Sequence, residues 1–115
     1  MSIQEWSAGI WLVTLSDDPS FVEVLDTLHV RLQKCEAVPH VVLDMSGVSH
    51  LNSSNLSQLL RLRKVVADHD SKLRLAAPPD SVWAVFIATG LDKVFEFATE
   101  PSTALAGLQL DEAGE

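Results

Sequence analysis

Apolar positions change period several times along the chain, and each change marks an element. The run Ile10–Leu15, Ile-Trp-Leu-Val-Thr-Leu, is β-branched and apolar, which predicts a buried strand. Residues 3–6 are placed to pair with it as a short edge strand across a Ser7-Ala8-Gly9 turn. Ser16-Asp17-Asp18-Pro19-Ser20 is dense in turn and cap residues. Beyond it Phe21, Val24, Leu25, Leu28, Leu32 and Cys35 recur every three or four residues, the spacing of one helix face, until Pro39 stops the pattern. His40–Asp44 is then short and continuously apolar, as expected of a central strand covered on both faces.

Residues 45–52 read as a loop. Leu56, Leu59, Leu60 and Val66 mark a second helix, with Arg61, Lys64 and Asp68 turned to water. Lys72–Ala76 is a further strand, ended by Pro78-Pro79, and Ser81–Thr89 a third helix closed by Gly90 in a left-handed cap. Val94–Phe97 is the last strand. Pro101 opens a final helix through about Leu108.

The order β-β-α-β-α-β-α-β-α predicts an α/β fold. One domain over residues 1–110 should hold a four- to five-stranded mixed sheet, with strand 40–44 central and about four helices packed mainly on one face. Residues 111–115 would form an acidic C-terminal tail. The expected core comprises Leu12, Leu25, Leu28, Val42, Leu60, Leu75, Val85, Phe86 and Phe95. In parallel sheets, sites gather at the carboxyl ends of strands and at the helix starts that follow, which points to the loop after Asp44.

Composition narrows the function. The chain has 115 residues, enough for one core, and 47% are hydrophobic, so a packed globule is expected. Eight basic and 16 acidic residues give a formal charge of −8, which disfavours nucleic acid and membrane as partners and favours a basic or mixed-charge protein. The same charge also serves solubility alone. Cys35 is the single cysteine, on an apolar helix stripe, and reads as a small buried hydrophobe. No secretory leader pattern and no apolar run of bilayer length is seen, so a cytoplasmic location is the expectation.

Catalytic signatures are missing. No Gly-x-Gly-x-x-Gly, P-loop or Gly-x-Ser-x-Gly elbow occurs. His29, His40, His50 and His69 never fall at i, i+4, and there is no paired-cysteine motif, so neither a metal site nor a cofactor is expected. A non-enzymatic role follows. The segment Asp44-Met-Ser-Gly-Val-Ser-His-Leu-Asn52-Ser53-Ser54-Asn55-Leu56-Ser57 stands apart, because it follows a buried strand and opens a helix. Ser53, Ser54 and Asn55 are all N-cap types, and Asn55 with Gln58 has capping-box spacing. One reading is a well-capped helix start and nothing more. The other is a hydroxyl that serves as a phosphorylation switch, since a phosphate there would meet free N–H groups and the positive end of the helix dipole.

Val41-Val-Leu-Asp44-Met-Ser46, then Val48, then Leu51-Asn52-Ser53-Ser54-Asn55-Leu56, resembles the "DLS-x-V-x-x-I-D-S-S-G-L" pattern of the STAS domain of anti-sigma factor antagonists and sulfate transporters. Leu59-Leu60, Lys64, Lys72-Leu-Arg-Leu-Ala, Gly90-Leu91-Asp-Lys-Val-Phe95-Glu-Phe and Ser102-Thr-Ala104-Leu105 follow the family's order, so the resemblance spans residues 10–108. It implies an anti-sigma factor antagonist that binds a kinase-type anti-sigma factor and is inactivated by phosphorylation of the serine after the motif aspartate, here Ser53, with Ser54 its rival. Three positions depart. Asn52 replaces the motif aspartate, Asn55 replaces the motif glycine, and Ser16-Asp17-Asp18 stands where a glycine follows the second strand. A STAS scaffold that works without phosphorylation is the alternative reading, and a small-ligand sensor a third.

The third helix adds a candidate surface. Val82, Val85 and Phe86 suffice for its core side, while Trp83 and Ile87 fall roughly 100–140° from Val82. Trp83 either packs within the chain or anchors a homodimer or an anti-sigma complex. The expected partner-binding set is therefore Asn52, Ser53, Ser54, Asn55, Trp83 and Ile87.

Overall fold

The computed structural model describes residues 2–113, with side chains through residue 110. The last two residues of the expected acidic tail lie outside the described residues. Ten elements follow one another: β1 (Ile3–Ser7), β2 (Ile10–Ser16), α1 (Ser20–Gln33), β3 (His40–Gly47), α2 (Ser53–Asp68), β4 (Leu73–Ala76), α3 (Asp80–Thr89), a 3-10 turn (Leu91–Lys93), β5 (Glu96–Ala98) and α4 (Pro101–Ala113). The strands form one sheet in the order β1-β2-β3-β4-β5. β1 runs antiparallel to β2, and the remaining pairs are parallel.

The helix positions follow from that order. Successive parallel strands added in one direction by right-handed crossovers place every crossover helix on the same face. α1, α2 and α3 are these crossovers. α4 follows the last strand, joins no further strand, and packs on the opposite face over β3, β4 and β5. β3 is central, as its continuous apolar run requires. Val41, Leu43 and Met45 enter the three-helix core, while Val42 faces the smaller cluster of Ile10, Ala76, Ala104, Leu105 and Leu108 under α4.

Of the expected core, Leu25, Leu28, Val42, Leu75, Phe86 and Phe95 are buried. Leu60 is not: it is 40% exposed. The buried stripe of α2 is Asn55, Leu59, Leu62 and Val66, and Leu60 lies about 100° around the helix from Leu59. Val85 is only half-buried, because Val82 and Phe86, one turn apart, define the inner line of α3. Leu12 is half-buried because it faces the α4 side on β2, beyond the three strands that α4 chiefly covers. Val94 and Phe95 belong to the end of the 3-10 turn, both N–H groups donating to the Leu91 carbonyl, and β5 begins one residue later.

No helix among the described residues is long and apolar enough to cross a membrane.

Candidate functional site

The carboxyl ends of β2, β3 and β4 bring three turns together on one rim. The turn after β2 carries Asp17 and Asp18, and the segment after β3 carries Ser49 to Ser54. α3 begins beside them, with the Ser81 hydroxyl donating to the Ser49 carbonyl at 2.8 Å.

α2 starts on a reciprocal pair of amides. Asn52 is the N-cap, in extended conformation (φ −103°, ψ 177°), and its Oδ1 accepts from the Asn55 N–H at 2.8 Å. Asn55 Oδ1 accepts from the Asn52 N–H at 3.0 Å. This is a capping box, shifted three residues toward the N-terminus of the Asn55–Gln58 spacing expected from sequence. Gln58 instead reaches α1, donating to the Val22 carbonyl at 3.3 Å and to Asp26 at 3.1 Å. Asn55, at the motif glycine, needs no left-handed backbone: among the described residues, those with positive φ are Asp70, Ala77 and Gly90.

The free ends of both amides turn to Asp18. Asn52 Nδ2 donates to its carboxylate at 3.2 Å, and Asn55 Nδ2 makes a longer, forked contact at 3.3 and 3.4 Å. A carboxylate only accepts, so it fixes the direction of both amides. Asn55 can therefore be 3% exposed with its amide fully engaged. Asp17 holds the other half of the loop, accepting from the Ser49 N–H at 2.8 Å and the Ser49 hydroxyl at 2.5 Å. Those two bonds, with a smaller contribution from nearby His50, hold the Asp17 carboxyl below its usual 3.8. Neither acid caps α1, whose N-cap is Pro19 without a side-chain bond.

Ser53 and Ser54 are exposed at the first two positions of α2, and their hydroxyls make no hydrogen bond among the described residues. A groove of about 370 Å³ runs past them toward Ser57, Gln58 and Arg61. Asn52, Ser53, Ser54 and Asn55 thus form one cluster. Trp83 and Ile87 do not join it. Ser81 faces the loop before α2, and Trp83 points roughly 160° away from it around α3. Trp83 is half-buried against Phe97, with ring centroids 4.9 Å apart, while Ile87 is 52% exposed. Among the described residues, no group of three or more His, Cys, Asp or Glu side chains could hold a metal.

Sequence reading missed Asp17 and Asp18 as site residues, taking them for turn and cap formers. Two signals were available: their position after a parallel strand, on the same rim as the serine loop, and their standing where the resembling family has a glycine.

The sequence profile of the STAS domain matches residues 9–106. A search of curated proteins finds no match. Among solved structures, the anti-sigma factor antagonist SpoIIAA in its unphosphorylated form superposes with a TM-score of 0.78 at 16% identity, over 93% of this chain and 94% of that one. A sulfate transporter family protein from Wolinella succinogenes gives 0.77 at 19% identity, over 90% and 88%. An anti-sigma-factor antagonist (STAS) domain protein from Planctomyces limnophilus gives 0.70 at 18% identity, over 87% and 92%. With a profile that spans nearly the whole chain and a fold shared with these proteins, the chain belongs to the STAS domain family.

Proposed function

We propose that this protein is an anti-sigma factor antagonist that binds a kinase-type anti-sigma factor in the cytoplasm and is switched by phosphorylation of Ser53. It acts by docking rather than by catalysis. One observation carries the reading. In the loop and cap that open α2, the side chains of Ser49, His50, Asn52 and Asn55 are all hydrogen-bonded, while the hydroxyls of Ser53 and its neighbour Ser54 are exposed and, among the described residues, make no hydrogen bond.

The physics supports a switch at this place. A phosphate on Ser53 meets the unpaired N–H groups of the first turn, so the helix tolerates it. It also adds about −1.5 to −2 charges beside Asp17 and Asp18. A partner that docks on the unmodified rim would then meet a much stronger negative field. The likeness to an antagonist described in its unphosphorylated form supports the same reading.

The second reading is a phosphorylation-independent scaffold. It is favoured by Asn52, an amide where the resembling motif has a carboxylate.

The test is incubation with kinase-type anti-sigma factors and ATP, followed by intact mass, site mapping and native complex analysis. The switch reading expects one added phosphate on Ser53, loss of the complex on modification, and no modification of Ser53→Ala. A complex that forms without any phosphate transfer supports the scaffold, and a phosphate mapped to Ser54 moves the switch by one residue.

A further inference from the structure

Further along the same rim, between α3 and β5, lies a cavity of about 330 Å³ that the Ser53 reading does not use. Trp83 and Phe97 line it, with ring planes at 81° and centroids 4.9 Å apart. Ala77 and Pro78 form another wall, fixed by a left-handed turn at Ala77 (φ 55°) and by its N–H bond to the Ala98 carbonyl at 3.0 Å. Asp80 stands at the mouth. It is exposed, and its carboxylate makes no hydrogen bond or ion pair among the described residues. Among the described residues, no lysine, arginine or histidine lines the cavity.

Two aromatic rings in edge-to-face contact, lined up with an unpaired carboxylate on the same cavity wall, suit a cation. The face of an indole is the negative part of its quadrupole, and a carboxylate beside it adds a full charge. The surrounding field has the same sign. The four strand-to-helix turns of the parallel sheet hold Asp17, Asp18 and Glu100 and contain no lysine or arginine. The apolar walls call for a cation with an apolar stem and a weakly hydrated head. A planar guanidinium meets both demands, since it stacks on a ring while its edge donates to a carboxylate. An ammonium is more strongly hydrated and cannot stack. A purely apolar side chain would cover the rings and leave Asp80 without a counter-charge.

We propose that this cavity docks an arginine side chain presented by a protein partner, with the guanidinium over Trp83 and paired to Asp80. The proposal goes beyond the Ser53 switch and does not depend on it. Trp83 and the start of α2 face different flanks of α3.

The test uses the full ¹⁵N-labelled chain and follows the Trp83 indole N–H during titration with acetyl-Gly-Arg-Gly-amide, the indoles of Trp6 and Trp11 serving as internal references. The expected result is a saturable shift at Trp83 alone. Asp80→Asn should raise the apparent dissociation constant about tenfold. The citrulline analogue of the peptide, isosteric but uncharged, should give no saturable shift, and the lysine analogue should bind more weakly. No saturable shift at Trp83 with the arginine peptide would overturn the proposal. So would equal binding of the citrulline or lysine peptide, or unchanged affinity in Asp80→Asn.

Discussion

α2 and α3 begin side by side on one rim and are held in opposite ways. α2 opens on a closed polar network, in which Asn52 and Asn55 cap each other and Asp18 takes both spare amide groups. α3 opens after two prolines with no side-chain cap, and rests on Val82, Phe86 and the rings of Phe95 and Phe97. Hydrogen bonds at an exposed helix start each contribute little net stability but fix geometry, whereas ring burial contributes much and fixes direction only loosely. The exposed side chains at the head of α2, Ser53 and Ser54 among them, should therefore be replaceable at small cost to folding. Those on the inner line of α3 should do the reverse.

Phe86→Ala tests that contrast most severely. Phe86 is fully buried, and its loss should cost about 3–5 kcal/mol in chemical denaturation. An effect below about 1 kcal/mol would mean that α3 is not anchored by its rings. Trp83→Ala comes next. Its edge-to-face contact with Phe97 and half-buried position predict a loss of about 1–2 kcal/mol, read from the same denaturation curves. Unchanged stability would show that the Trp83 ring adds nothing to the monomer fold.

On the α2 side the effects shrink. Asn52→Ala removes the cap and should cost about 1 kcal/mol, with faster amide exchange confined to residues 53–55. Global loosening would show that the network holds more than the helix start. The smallest effect belongs to Asp17. Its pKa is lower folded than unfolded, so the Ser49 clamp contributes stability above the ordinary carboxylate range and loses it as pH falls through the folded value. Acid titration of stability below pH 3.8 should therefore be shallower in Asp17→Asn than in the parent chain. Parallel curves would remove Asp17 from the clamp.

Much of this architecture was legible in the residues. The β-branched and continuous apolar runs located β2 and β3, and His40–Asp44 reads as central because both its faces are apolar. What failed was finer than a period. Leu60 belongs to an apolar helix pattern yet misses the inner arc by one residue step, and nothing local separates it from Leu59 or Leu62. Leu12 alternates correctly, but its cover depends on where α4 lands, a tertiary fact. At the site, the cap was expected among Ser53, Ser54 and Asn55. Asn52 won because Asp18, far away in sequence, orients its amide. Long-range hydrogen bonds leave no periodic trace, so the acidic turn reads as punctuation in the sequence although it is half of the hydrogen-bonded cluster that opens α2.

Gly47 gives that division a further meaning. It pairs with Ser16 where the register of β2 and β3 shifts, and a Cβ there would stand 2.9 Å from the Leu15 carbonyl oxygen. The strand end that leads to the acids and the strand end that leads to the serines thus meet at Gly47 with no room for a side-chain carbon against the Leu15 carbonyl. A methyl group at 47 would act as a wedge, driving the two stretches apart without altering a single charge or hydroxyl. Side chains on either stretch can drift and be compensated across the gap, as amides answering a carboxylate already illustrate. The approach at Gly47 has no such latitude, because the atom a side chain would meet there is a backbone carbonyl oxygen and not the end of a flexible side chain.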